Sequence, residues 1–151
     1  MRWSWIALLL LLGGCAAATG ESGTVNLTFE ARNQAGQPIT EARAGETVQF
    51  VFRLENGSRT PVRFSYTWPP HRVLVRGPFG NTLWQAHEGM AFIQMMRDES
   101  LPVGSALEYS AEWQVPADVA GKLRVEPAFH AFIDGKPLED KPETITLAVT
   151  R

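Results

Sequence analysis

Residues 47–68 read TVQFVFRLENGSRTPVRFSYTW, and this stretch decides the class of fold. Apolar side chains occupy every second position on both sides of a polar segment that begins at Asn56-Gly57. A period of two places alternate side chains on one face of a pleated strand. The alternating positions are Val48, Phe50, Phe52 and Leu54 before the turn, and Val62, Phe64, Tyr66 and Trp68 after it. Two strands separated by a turn are therefore predicted.

The same alternation continues along the rest of the chain, with glycine and proline turns between the apolar sets. The further alternating positions are Val25, Leu27 and Phe29; Val73 and Val75; Leu107, Tyr109, Ala111 and Trp113; Leu123, Val125 and Phe129; and Ile145, Leu147 and Val149. Residues 86–97 break the pattern and are predicted to form a loop with some strand character. About seven strands and no convincing amphipathic helix predict an antiparallel immunoglobulin-like β-sandwich.

Composition and charge narrow the functional classes. The chain has 151 residues, of which 44% are hydrophobic and 20% are charged, as expected for one globular domain. The formal net charge is −2 with no basic block, which argues against a nucleic-acid partner. The single cysteine excludes an intrachain disulfide and a multi-cysteine metal site. Trp68, Trp84 and Trp113 lie among strand-period apolar residues and are predicted to fill the core.

The first residues have the features of an export signal. Arg2 precedes an apolar run from Ile6 to Leu12, which is too short to span a bilayer as a helix. The following Leu12-Gly13-Gly14-Cys15 resembles the lipobox of bacterial lipoproteins, in which the cysteine is lipidated and becomes the first mature residue. The other interpretation is an ordinary secretory signal that is cleaved near residues 16–18, with Cys15 discarded.

The lipobox interpretation divides the chain into three parts. Residues 1–14 are predicted to be a lipoprotein signal peptide, and residues 15–23 a small, polar, lipidated tether. Residues 24–151 are predicted to be the β-sandwich domain. We expect thioether-linked diacylglyceryl and an acyl chain such as palmitate on Cys15, because two or more chains hold a protein stably on a membrane. The expected location is the extracytoplasmic face of the bacterial cell envelope.

Motifs for catalysis and for metal binding are absent from the sequence. His71, His87 and His130 have no recognised metal-ligand spacing, so we predict no metal site. The acid pairs Asp98-Glu99 and Glu139-Asp140 are predicted to be solvated surface charge. No nucleophile elbow or phosphate-binding glycine loop occurs, and the cysteine is assigned to the amino terminus. We therefore expect a protein that is not an enzyme, with no catalytic residue and no cofactor.

One short segment, Trp68-Pro69-Pro70-His71-Arg72, is a candidate for protein recognition. Two prolines after an apolar strand predict an extended, polyproline-like path. Proteases bind their ligands in extended conformation, so a loop that is already held in that form loses less entropy on docking. The alternative is a simple strand terminator, since proline is common at strand ends.

The central part of the chain, from about Val48 to Ala131, resembles the BsuPI-type intracellular proteinase inhibitor family of bacteria. The resemblance lies in the order and spacing of five segments. They are residues 50–64, interpreted as a β-hairpin with Asn56 and Ser58 at its turn; Gly80-Asn81-Thr82-Leu83-Trp84; Met90-Ala91-Phe92-Ile93-Gln94; Leu101-Pro102-Val103-Gly104-Ser105 leading to Tyr109 and Trp113; and Gly121-Lys122-Leu123-Arg124-Val125.

The resemblance implies an immunoglobulin-like sandwich and inhibition of a subtilisin-like serine proteinase by protein binding. The chain departs from the family in its export signal and in the proline-rich segment after Phe64. We expect a membrane-anchored lipoprotein whose partner is a serine proteinase, with residues 68–72 as the candidate protease-binding loop. The alternative is a non-inhibitory envelope module that binds or assembles with another envelope protein.

Overall fold

A computed structural model describes residues 25–151. Cys15, the predicted signal peptide, the predicted tether and the predicted start of the domain at Thr24 lie outside the described residues. The described chain forms twelve strands. They are β1 (Val25–Arg32), β2 (Glu41–Arg43), β3 (Thr47–Asn56), β4 (Val62–Thr67), β5 (His71–Arg76), β6 (Thr82–Gln85), β7 (Met96–Leu101), β8 (Ala106–Gln114), β9 (Gly121–Phe129), β10 (Phe132–Ile133), β11 (Lys136–Pro137) and β12 (Ile145–Thr150).

The strands form three hydrogen-bonded sheets, with the orders β1-β3-β8, β11-β10-β4-β7 and β2-β12-β9-β5-β6. Strand pairing is antiparallel in each sheet except between β12 and β2, which are parallel. Rings from both smaller sheets pack on the largest one, because Phe52 of β3 and Phe64 of β4 both contact Phe129 of β9. The architecture is a β-sandwich, which confirms the predicted all-β, immunoglobulin-like fold class.

The core follows the period-two pattern of the sequence. Phe50, Phe52 and Leu54 of β3 are fully buried, as are Phe64 of β4 and Leu147 of β12. Because successive side chains of a strand point to opposite faces, the residues between these positions face solvent or the neighbouring sheet. Of the three tryptophans predicted to be core residues, Trp113 is buried, whereas Trp68 and Trp84 are half-buried and pack against the core.

The hairpin predicted for residues 50–64 is wrong, because β3 and β4 belong to different sheets. Asn56 explains why the chain leaves its sheet at this point. Its side chain is completely buried, and its amide donates hydrogen bonds to the carbonyls of Thr60 and Leu101, both at 2.9 Å. Asn56 therefore ties the connection between β3 and β4 to the end of β7 instead of closing a two-stranded turn.

Strand β7 carries charges on an edge of the four-stranded sheet, next to β4. The acid pair Asp98-Glu99 lies on this strand and is not simply solvated. Ser65 donates a hydrogen bond to the Asp98 carboxylate, and the Tyr66 hydroxyl donates one to Glu99 at 2.6 Å. Charged residues on an edge strand also oppose pairing with other chains.

Candidate functional site

The chain crosses from one layer of the sandwich to the other at residues 68–72, which we call the proline corner. Strand β4 ends at Thr67 in the four-stranded sheet, and β5 begins at His71 in the five-stranded sheet. The Trp68–Pro69 peptide bond is cis. The carbonyl of Pro70 accepts a hydrogen bond from the N–H of His130, at 2.8 Å.

The proline corner exposes little of its surface. Pro70 and His71 are buried, Trp68 and Pro69 are half-buried, and Arg72 is exposed. The ring of Trp68 is further covered by Arg97 of β7, whose guanidinium carbon lies 5.4 Å from the ring centroid. Most of the corner is therefore committed to the fold. Contact between the proline corner and a protease stays a prediction. Within the corner, Arg72 has the exposed side chain.

His71 of the proline corner faces His87, which lies 16 residues later in the sequence. The Nε2 atoms of His71 and His87 lie 3.2 Å apart, which is hydrogen-bond distance when one ring donates and the other accepts. Burial, with a smaller contribution from His87, lowers the pKa of His71 to about 4. Burial also lowers the pKa of His87. Both rings are therefore neutral at pH 7, and the pair serves as a packing and hydrogen-bonding element.

The histidine pair supports a loop that connects β6 to β7. Ala86 is buried, and its N–H donates to the carbonyl of Val73 at 2.9 Å. The turn that follows has positive φ at His87 (65°) and Gly89 (72°). Phe92 then packs edge-on against His87, with ring centroids 5.5 Å apart. A contact series from Phe92 through His87 to His71 thus joins this loop to the proline corner.

Residues 90–95, which we call the apolar loop, have no regular secondary structure and carry large exposed side chains. Met90 is 64% exposed, Ile93 84% and Met95 59%, and Met96 at the start of β7 is 54% exposed. The sequence pattern predicted a loop with some strand character over residues 86–97, and β7 begins at Met96. In the structure Phe92 is half-buried and Met95 is exposed, so the two side chains have different environments.

The proline corner and the apolar loop lie at the same end of the sandwich and line one shallow cleft. Pro69, Pro70 and Arg72 form one wall, and Met90 and Phe92 contribute to the other. The sequence did not predict that the proline corner and the apolar loop lie together. Their proximity depends on the pairing of β5 with β6, which brings His87 back to His71. A run of uncharged residues from Gly89 to Met96 was the available signal.

Candidate metal clusters and membrane-spanning helices are both absent from residues 25–151. Within residues 25–151, no group of three or more histidine, cysteine, aspartate or glutamate side chains could hold a metal ion. Over the same range, no helix has the length and apolarity to cross a membrane. This end of the sandwich exposes large apolar side chains of the apolar loop next to polar residues such as Arg72 and His130.

Solved structures with a similar fold share little sequence with this chain. A Bordetella pertussis protein that bears the name ApaA aligns with a TM-score of 0.51 and 14% identity, over 85% of this chain and 96% of its own. The CARDB domain of the PF1109 protein from Pyrococcus furiosus aligns with a TM-score of 0.43 and 13% identity, over 83% and 89%. At such identities the first of these similarities shows the fold alone.

The comparison with protein families is more informative. No curated protein matches the chain. The model of the BsuPI family, described as intracellular proteinase inhibitor, matches residues 38–131, which is more than half of the 151 residues. The matched range includes β3 to β9, the proline corner and the apolar loop. The chain therefore belongs to the BsuPI family of proteinase inhibitors.

Proposed function

We propose that this protein is a bacterial envelope lipoprotein whose β-sandwich binds and inhibits a serine proteinase. The observation that carries the proposal is the match of the inhibitor family over residues 38–131. The end of the sandwich formed by the proline corner and the apolar loop supports it, because exposed apolar side chains there are available for a partner. Inhibition by binding requires no catalytic residue, no cofactor and no metal in the inhibitor.

The experiment is a titration of proteinase activity with the protein. The full-length chain is expressed in a bacterium and purified in its processed form, with detergent if it is in the membrane fraction. Subtilisin-, chymotrypsin- and trypsin-like proteinases are each assayed with a small chromogenic substrate. We expect at least one to lose activity as the protein is raised to micromolar concentration. Unchanged hydrolysis by all of them contradicts inhibition and favours the envelope assembly module as the function.

The proposed location rests on the sequence of the first 23 residues. The lipobox-like Leu12-Gly13-Gly14-Cys15 supports cleavage before Cys15 and lipidation of its thiol, followed by a tether over residues 15–23 and the domain over residues 24–151. The family description is intracellular, so export and anchoring would set this chain apart from that description. An envelope inhibitor would act on a proteinase outside the cytoplasm, or on one that reaches the envelope.

A substitution at Cys15 tests the anchor independently of inhibition. Cys15→Ser removes the thiol that carries the lipid, so we expect the protein to lose its membrane fractionation and to retain the unprocessed signal. Mass spectrometry of the wild-type protein should show an acylated amino-terminal peptide that begins at Cys15. A membrane-bound, normally processed Cys15→Ser protein would contradict lipidation, and a soluble wild-type protein cleaved near residues 16–18 would favour the secretory signal.

A further inference from the structure

The apolar loop is an unusual surface feature of the described chain. Isolated apolar side chains are common on protein surfaces, but several large ones in a single short segment mark an interaction site. Met90, Ile93 and Met95 are all exposed within six residues, and Met96 continues the series. Phe79, in the turn between β5 and β6, is also exposed, but among turn residues without such neighbours.

The loop is held in place at both ends and in its middle. Its amino-terminal side is fixed by the hydrogen bond from Ala86 to Val73, and its carboxyl-terminal side by the pairing of Met96 with Thr67. Phe92, in the middle, packs on His87. A loop that is already ordered loses less conformational entropy when it binds. The exposed side chains on each side of Phe92 are thus presented by a supported backbone.

The backbone of the loop is also available. Within the described residues, the backbone hydrogen bonds here are those from Met90 to His87 and from Met95 to Ile93, at 3.2 Å and 2.9 Å. The N–H groups of Ala91 and Ile93 therefore have no backbone acceptor in that part of the chain. A loop with free backbone groups can pair with the edge of a partner's strand while its side chains enter pockets.

The chemistry of the loop restricts the partner. Residues 89–96 contain no charged side chain, so they offer nothing to a specificity pocket with a carboxylate at its base. Methionine and isoleucine match a pocket that is itself apolar. Methionine is also unbranched and flexible, so it adapts to pockets of different shapes.

We propose that the apolar loop is the segment that enters the substrate cleft of the proteinase, and that this proteinase has apolar specificity pockets. This inference rests on the proposed inhibitory function and assigns its contact surface. Ile93 is the main anchor because it is the most exposed member of the loop, with Met90 and Met95 beside it. The proline corner then supports the loop through His71 and His87 and is not itself inserted.

Inhibition constants of charged variants test the assignment. In the full-length processed protein, Ile93→Asp should weaken inhibition by about 30-fold or more, as expected for a central apolar anchor. Met90→Asp should weaken it about 10-fold. Phe79→Asp is the matched control, since it places the same charge at an exposed apolar site outside the loop, and should change the constant by about twofold at most. All three proteins should unfold at the wild-type temperature.

The outcomes separate this inference from the function on which it rests. If the wild-type protein inhibits and Ile93→Asp inhibits equally well, the loop assignment is wrong and the inhibitory function stands. If Arg72→Ala weakens inhibition more than Ile93→Asp does, the proline corner is the contact segment and the loop is not. Stronger inhibition of a trypsin-like than of a chymotrypsin- or subtilisin-like proteinase contradicts the apolar pocket. A wild-type protein that inhibits no proteinase overturns both proposals.

Discussion

Asn56 joins the connection that follows β3 to the end of β7, which lies 45 residues further along the chain. Besides donating to the carbonyls of Thr60 and Leu101, its side-chain oxygen accepts hydrogen bonds from the N–H and the hydroxyl of Ser58, at 2.9 Å and 2.6 Å. A buried amide with both donors and its acceptor satisfied cannot be replaced by a group with a different set of donors without a cost.

The change Asn56→Asp tests this role. The carboxylate has the shape of the amide but cannot donate to the two carbonyls, and the site is completely buried. We expect the free energy of unfolding at pH 7 to fall by about 3 kcal/mol, measured by urea denaturation. Ser58→Ala, which removes one partner at a more exposed position, should cost about 1 kcal/mol. Equal small losses for both variants would contradict the tie that we assign to Asn56.

The histidine pair makes stability depend on pH in a defined window. The folded state lowers the pKa of His71 from 6.5 to about 4, so the unfolded chain binds more protons between these values. Stability is then fully present above pH 6.5 and is lost as the pH falls toward 4. We expect the free energy of unfolding to be about 2 kcal/mol lower at pH 4.5 than at pH 7, as measured by chemical denaturation.

The variant His71→Leu should flatten this dependence, whatever its effect on stability at pH 7. His130→Gln, which changes an exposed histidine outside the pair, is the control and should retain the wild-type slope. An unchanged slope in His71→Leu would show that other groups cause the dependence.

At the scale of elements, alternation of apolar residues predicted the strands that contribute to the core. Strands β3, β4, β5, β8, β9 and β12 each follow from their own period-two positions, because one face of each is buried. Strand β7 was missed since its edge position leaves Met96, Arg97 and Asp98 all exposed, so no alternation marks it. The short strands β2, β10 and β11 contain too few residues to show any period.

The candidate site was harder to predict from the sequence than the strands were, for a different reason. An uncharged run such as Met90 to Met96 has the composition of a buried strand, and its exposure depends on which sheet its neighbours join. The contact between His71 and His87 depends on the same pairing. The proline corner, in contrast, was predicted as a contact segment from its sequence motif. Most of its surface is buried, because the chain crosses between the layers there.

The support of the apolar loop by Phe92 can be measured by hydrogen exchange. Phe92→Ala removes the ring that packs on His87, so we expect the hydrogen-bonded amides of Met90 and Met95 to exchange several-fold faster. Amides of the central strand β3 should be unaffected, and the free energy of unfolding should fall by about 1 kcal/mol at most, because Phe92 is only half-buried. Uniformly faster exchange, with β3 included, would place Phe92 in the core and not in a local support.

At the scale of the whole molecule, the sandwich needs no disulfide in its described part. A continuous core of buried residues extends over both layers, and one end of the molecule carries an ordered, uncharged, exposed loop. Such a molecule presents a fixed contact segment on a rigid scaffold, which is what inhibition by binding requires. A lipid on Cys15 would hold the inhibitor at a membrane without changing how it binds a proteinase.

The central claim is that the protein inhibits a proteinase by occupying its substrate cleft. Steady-state kinetics at several substrate concentrations, with the wild-type processed protein and a proteinase of apolar specificity, test this most directly. The account predicts a competitive pattern, in which the apparent KM rises with the concentration of the protein while kcat stays constant. A fall in kcat at constant KM, or hydrolysis that does not respond to the protein at micromolar concentration, would contradict it.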